Sequence, residues 1–132
     1  MIAVDTSAIV AIALEEPEER RYIIEIASRG AIIGTTTLVE TSTVLSRLDE
    51  PVANGFLTGL LQARSVRTVD FSREMFEAAR DAYRRYGKGQ GHPAQLNFGD
   101  CLSYAVAKVC GVPLLFKGND FSRTDIVPAY TP

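Results

Sequence analysis

The segment that most limits how this chain can fold is its first, Met1-Ile2-Ala3-Val4-Asp5-Thr6-Ser7. Ile2, Ala3 and Val4 are apolar without alternation. That is the pattern of a strand buried on both faces, and such strands belong to parallel sheets covered by helices on each side. Asp5 ends the strand at once. In open α/β sheets the carboxyl edge of the strands is where ligands bind, because helix amino termini and loop backbones converge there. The later residues that reach this edge decide what chemistry Asp5 takes part in.

The rest of the chain alternates helix and strand. Thr6 or Ser7 is expected to cap a short helix, Ala8 to Leu14, and Glu15-Glu16-Pro17 restarts the chain into a second helix with Pro17 in its first turn. Tyr22, Ile23, Ile26 and Ala27 mark the buried face of that helix, and Gly30 ends it. Ala31 to Ile33 reads as a second strand. Gly34 with Thr35-Thr36-Thr37 makes the turn and cap of a third helix, with Leu38, Val44, Leu45 and Leu48 on its apolar side and Glu40 about one turn inside. Asp49-Glu50-Pro51 breaks it, and Phe56, Leu57, Leu60 and Leu61 pattern a fourth helix from Pro51 to about Ala63. Val66 to Val69 is a third strand. Ser72 caps a long helix in which Met75, Phe76, Ala79, Tyr83 and Tyr86 are expected to face inward. The run 87–93, rich in glycine, has the composition of a mobile loop. Asn97-Phe98-Gly99-Asp100 leads into a helix carrying Leu102, Ala105, Val106 and Val109, closed by Gly111. Val112 to Phe116 is a fourth strand, Lys117-Gly118-Asn119-Asp120 the turn after it, and Ile126 with Val127 a short edge strand. This order implies right-handed crossovers and an α/β fold with a mostly parallel central sheet, as one domain over residues 1–132.

Composition excludes several classes. No run of eighteen apolar residues exists, and the amino terminus lacks both a basic segment and a cleavable apolar stretch, so a cytoplasmic protein is expected. Cys101 and Cys110 on one helix would stand roughly 13 Å apart along its axis, beyond the ~7 Å limit of a disulfide, and read as small buried apolar residues. The sole histidine, His92, lies in the glycine-rich loop and has no zinc-ligand spacing around it. The glycines there fit neither GxxxxGK[ST] nor GxGxxG. Net charge is −2, but residues 1–50 carry nine acids and four bases, whereas residues 51–132 carry seven acids and ten bases. A basic face on the second half is therefore available to phosphates.

Four acids are expected at one edge. Asp5 and Asp120 leave the ends of two strands, Glu40 follows a third, and Asp100 opens a helix. Singly, each has a plainer role: Asp5 and Asp100 as helix caps, Glu40 on a solvated helix face, Asp120 in a turn. Together they require a cation, because two unit charges ~5 Å apart repel by roughly 3 kcal/mol at an effective dielectric of 20. Mg²⁺ takes oxygen ligands, binds one or two carboxylates directly and keeps several waters; Mn²⁺ accepts the same set. Such an ion suits phosphodiester hydrolysis by an activated water. Arg84, Arg85, Lys88 and Lys117 are candidates for guiding the phosphodiester substrate, RNA if the resemblance described next holds, and Asp125 is a further acid of lower rank.

These residues resemble the PIN domain, and within it the VapC toxins of bacterial toxin–antitoxin pairs. The resemblance spans the whole chain and rests on Val4-Asp5-Thr6-Ser7-Ala8, on Glu40 in Thr37-Leu38-Val39-Glu40-Thr41, on Asn97-Phe98-Gly99-Asp100-Cys101-Leu102-Ser103-Tyr104-Ala105, and on Leu114-Leu115-Phe116-Lys117-Gly118-Asn119-Asp120-Phe121. It implies a three-layer α/β/α fold and a Mg²⁺- or Mn²⁺-dependent ribonuclease that stops translation. It also implies that Asp5, Glu40, Asp100 and Asp120 form the metal site, with Thr6 or Ser7 in support and Asn119 or Asp125 sharing the fourth position. A homodimer and a VapB-like antitoxin covering the cleft are implied as well; Leu57, Leu60 and Leu61 line that groove or the dimer face unless they are simply core.

Three other classes fit parts of the pattern. A haloacid dehalogenase-like phosphatase also begins with an aspartate after its first strand, but wants a second acid where Ser7 stands. A receiver domain has a similar acid cluster and a late lysine, but needs an aspartate after a middle strand, and Asp49 follows a helix instead. A binding-only domain with an inert acidic cluster is the third.

Overall fold

The computed structural model describes residues 1–48 and 51–132; Asp49 and Glu50, and with them the expected break between the third and fourth helices, lie outside the described residues. Strand β1 (Ile2–Val4) is followed by helices α1 (Thr6–Ala13) and α2 (Glu19–Arg29). Strand β2 (Ala31–Gly34) leads to α3 (Thr35–Arg47) and α4 (Pro51–Gln62), and β3 (Val66–Val69) to α5 (Arg73–Tyr86). Helix α6 (Phe98–Cys110) and β4 (Leu114–Leu115) complete the set. The four strands form one sheet in the order β3-β2-β1-β4, every pairing parallel.

Alternation along the strands sends side chains to two separate cores. Ala3, Ile32 and Leu114 meet Met75, Ala82, Tyr86, Tyr104 and Ala105 on the α5/α6 side. Ile2, Val4, Ala31, Ile33 and Leu115 meet Ile9, Ile12, Tyr22 and Ile26 on the other, closed by Phe56, Leu57 and Leu60 of α4. The sheet is thus sandwiched, and β1, β2 and β4 read as unbroken apolar runs because neither of their faces is wet, whereas the edge strand β3 leaves Arg67 and Thr68 exposed. Full burial of each Ile or Leu contributes about 1.5–3 kcal/mol, enough for the two cores to hold so small a sheet.

Several boundaries differ from the sequence expectation, each for a local reason. Helix α1 starts at Thr6 because Asp5 itself is the cap: its carboxylate accepts the Ser7 N–H. Pro17 stays outside α2, which begins two residues later. On α2 the buried residues are Tyr22, Glu25 and Ile26, while Ile23 is 45% exposed. Glu25 is admitted to that face because Arg21 and Arg29 flank its carboxylate. Strand β4 is only two residues long, and instead of an edge strand at Ile126 and Val127 the tail makes one isolated parallel bridge, Leu114 to Pro128. On α5 the pattern misleads: Phe76 and Tyr83 face outward, 52% and 41% exposed. Leu57 and Leu60 are core residues, and Leu61 is exposed. Ser72 caps α5, and Gly111 ends α6 at a left-handed φ of 67°, as their residue types suggest.

Among the described residues no helix is long and apolar enough to cross a membrane. Cys101 and Cys110 are both unpaired, the first buried, the second half-buried. His92 stays in its loop, where its Nδ1 accepts the Ala94 N–H.

Candidate active site: an acidic cleft at the strand ends

Parallel strands put their carboxyl ends on one side, and three of those exits bring an acid to one cleft. Asp5 follows β1, Glu40 lies in α3 after β2, and Asp120 lies in the turn after β4; Asp100 comes from the first turn of α6. All four line one cleft of about 390 Å³, with Thr6, Ser7, Glu16, Asn97 and Lys117.

Each of the three inner acids is held by one oxygen. Asp5 Oδ2 accepts from the Ser7 N–H (3.0 Å) and the Ser7 hydroxyl (2.6 Å). Ser7 Oγ in turn accepts from the Lys117 N–H (3.0 Å), which ties the β1 exit to the β4 exit. Asp100 Oδ2 accepts from the Asn97 N–H (3.0 Å) while Asn97 Oδ1 accepts from the Asp100 N–H (2.8 Å), a reciprocal cap that starts α6. Glu40 Oε1 accepts from the Thr6 hydroxyl at 2.6 Å. Among the described residues no donor reaches Asp5 Oδ1, Asp100 Oδ1 or Glu40 Oε2. The helix-cap role and the cleft role therefore coexist, one on each oxygen. Asp120 is exposed at the rim.

The charge of this arrangement is uncompensated. Burial, opposed by the bond from Asn97 and reinforced by Asp5, Asp120 and Glu40, pushes the Asp100 carboxyl from its ordinary 3.8 up to about 7. A carboxyl raised on folding favours the folded state when protonated. Its contribution is complete below about pH 4 and is lost as the pH rises through about 7, on the order of 3 kcal/mol between pH 5 and 8. The melting temperature of the metal-free protein is therefore expected to fall by roughly 10 °C over that range, and Asp100→Asn to flatten the profile. An equal fall in the variant would show that Asp100 is not its source.

No three acidic, histidine or cysteine side chains among the described residues form a ready ligand cage. The donor set is nonetheless all oxygen, with three open carboxylate atoms and one rim acid. That suits an ion which keeps several of its waters, as Mg²⁺ does.

Some expected participants are elsewhere. Asp125 does not line the cleft: it accepts from the Tyr104 hydroxyl (2.7 Å) and from Lys108 Nζ (3.0 Å). Burial works against its charge there, yet those bonds hold its carboxyl below the ordinary range. Asn119 lines a neighbouring cavity. Arg84, Arg85 and Lys88 are exposed on or just after α5 and do not line the cleft, and Arg85 is engaged by Asp81 and Tyr86. Lys117 does line it, but its ammonium is bound by Glu16 (2.5 Å) and Glu18 (3.1 Å), so it latches the α1–α2 connection rather than waiting for a phosphate.

Three residues at the cleft escaped the sequence reading. Glu16 was legible only as part of a helix break. Thr41, fully buried, sets its hydroxyl 3.1 Å from Thr6 Oγ1 and 2.8 Å from the Thr37 carbonyl, so it supports the Thr6 hydroxyl that holds Glu40. Gly99 is the third: the space its Cβ would fill is taken by the Glu40 carboxylate.

A three-layer fold with this cleft defines a class, and the PIN domain model matches residues 2–127, so the chain belongs to the PIN domain family. Within it, the chain is 41% identical over 133 residues to Ribonuclease VapC30 of Mycobacterium tuberculosis, covering 99% of this chain and 100% of that one. It is 44% identical to Ribonuclease VapC of Mycolicibacterium smegmatis over 131 residues, 98% of this chain and 100% of the relative. Among solved structures, the Mycobacterium tuberculosis VapC20 toxin, described as cleaving the sarcin–ricin loop, superposes with a TM-score of 0.77 at 22% identity, covering all of both chains. The VapBC2 complex of Rickettsia felis, bound to a promoter DNA fragment, gives 0.73 at 17% identity, covering 97% of this chain and 96% of that one.

Proposed function

We propose that this chain, acting as one domain over residues 1–132, is the ribonuclease toxin of a type II toxin–antitoxin pair, hydrolysing RNA phosphodiester bonds with Mg²⁺ or Mn²⁺ and so halting translation. The observation that supports it most is the pairing of held and open oxygens on Asp5, Glu40 and Asp100 in one cleft. The names of the relatives, ribonucleases that match nearly the full chain, support the substrate class.

When bound, a divalent ion supplies charge that lowers the pKa of a water and offsets the phosphate. Asp5 and Asp100, the two buried carboxylates of the cleft, are the residues proposed to hold it, with Glu40 and Asp120 completing the oxygen set. Ser7, Asn97 and Thr6 keep the three inner carboxylates from turning away, so RNA meets a preorganised site. Total cellular RNA should be cut by the purified protein with Mg²⁺ or Mn²⁺ and left intact with EDTA. Intact RNA under both conditions would overturn the reading, and phosphatase activity on a small phosphoester would favour the dehalogenase-like alternative.

A VapB-like antitoxin is the proposed protein partner, in keeping with the VapC names of the relatives, and its part is to cover the acidic cleft. A second copy is proposed to cover the apolar face where Phe76 and Tyr83 of α5 meet Phe98, which is 77% exposed, across a groove of about 410 Å³. Sedimentation should show a dimer that Phe98→Glu dissociates; a wild-type monomer at high concentration would remove this partner. The unpaired cysteines suit the reducing cytoplasm proposed as its compartment.

A further inference from the structure

Beside the acidic cleft lies a second cavity of about 500 Å³, and the two meet at Lys117, which lines both. Its walls differ in kind from the cleft: Tyr22, Phe116 and Tyr130 supply aromatic surface, Arg21, Asn119 and Ser122 supply polar groups, and its one acidic side chain, Glu18, is paired with Lys117. The aromatic walls are fixed. The Tyr22 hydroxyl donates to the Phe116 carbonyl (3.3 Å), and Tyr22 and Tyr130 meet edge to face at 6.5 Å. The Arg21 guanidinium lies 4.7 Å above the Tyr130 ring, and Arg29 donates to the Ala129 carbonyl (2.7 Å), so the tail carrying Tyr130 is pinned onto α2.

The Asn119 and Ser122 side chains, by contrast, are uncommitted. The Ser122 N–H donates to the Asn119 carbonyl (3.1 Å), a turn that engages backbone atoms and leaves both exposed side chains facing solvent. An amide carries two donors and an acceptor, the set that reads the edge of a base. Unpaired bases are recognised in this way, by aromatic or guanidinium planes against the ring and hydrogen bonds at its edge. The neighbouring carboxylates repel phosphates, which favours holding a nucleotide next to the scissile phosphate through its base.

Resting on the ribonuclease reading, we infer that this cavity seats one unpaired nucleobase of the RNA adjacent to the cut, packed against Tyr130 and Phe116 and read by Asn119. A test uses a random-sequence pool of short single-stranded RNAs, with sequencing of the cut positions and steady-state kinetics on one good substrate from the pool. The wild type should show a base preference at one position beside the cut. Asn119→Ala should flatten that preference, and Tyr130→Leu should raise KM about tenfold with kcat within twofold, whereas Tyr130→Phe should behave as wild type, and Asn119→Ala and Tyr130→Phe should melt as wild type does. Unchanged preference and KM in both Asn119→Ala and Tyr130→Leu, with the wild type active, would overturn the subsite alone. Loss of antitoxin binding in those variants without any change on RNA would do the same, assigning the cavity to the protein partner. Should Tyr130→Leu fail to fold, Asn119→Ala, at an exposed turn, decides by itself. A wild type that cuts no member of the pool but cuts total cellular RNA would also remove the subsite, whereas one that cuts neither removes the ribonuclease reading itself.

Discussion

Asp5→Asn is expected to lower metal-dependent RNA cleavage by roughly a thousandfold or more while leaving the fold intact. The two halves of that expectation come from the two oxygens of one side chain. Oδ2 takes both bonds from Ser7 and caps α1, and Oδ1 is open to the cleft. Asparagine caps a helix as well as aspartate does, so α1 keeps its start. It cannot supply the negative charge that holds a divalent ion, whose stabilisation of the transition state is several kcal/mol at about 1.4 kcal/mol per tenfold in rate. Cleavage assays beside melting curves check both halves, and undiminished cleavage by a folded Asp5→Asn protein would remove this cleft from the chemistry.

The second large effect is expected from a residue with no functional group. A methyl on Gly99 would occupy the position of the Glu40 carboxylate, so Gly99→Ala must turn Glu40 away from Thr6 or push α3 from α6. Cleavage should fall about 10- to 100-fold, in the range seen when a group that orients a metal ligand is lost, and Mn²⁺ should bind more weakly by titration. Because the damage runs through Glu40, adding Gly99→Ala to Glu40→Ala should cost little more than Glu40→Ala alone. Fully additive losses would mean that Gly99 acts by another route.

The four acids were legible because each has a local sign: an apolar strand that stops at a carboxylate, a turn after another strand, a helix turn after a third, and Asn97 three residues before Asp100. The same local reasoning explains what was missed. Gly99 and Thr41 matter only through residues 59 and 35 positions away in the chain, and nothing in their own neighbourhood announces it. Asp125 looked like a further acid near the last strand, yet the tail carries it round to Tyr104 and Lys108. Lys117 stands where expected, but the partners that engage its ammonium lie about a hundred residues earlier. On α5 an apolar stripe was read as core; periodicity records that a face avoids water and does not say whether this chain or another covers it.

The order β3-β2-β1-β4 has a consequence in time. Strand β1 sits inside the sheet, and one of its two neighbours, β4, is made long after it. Asp5 must therefore wait for Leu115 to be synthesised before its strand has both flanks, and the rim acid Asp120 comes later still. Pairings so distant in sequence also form slowly. A nascent chain of this design carries no assembled cleft until β4 and the turn that holds Asp120 have both been made.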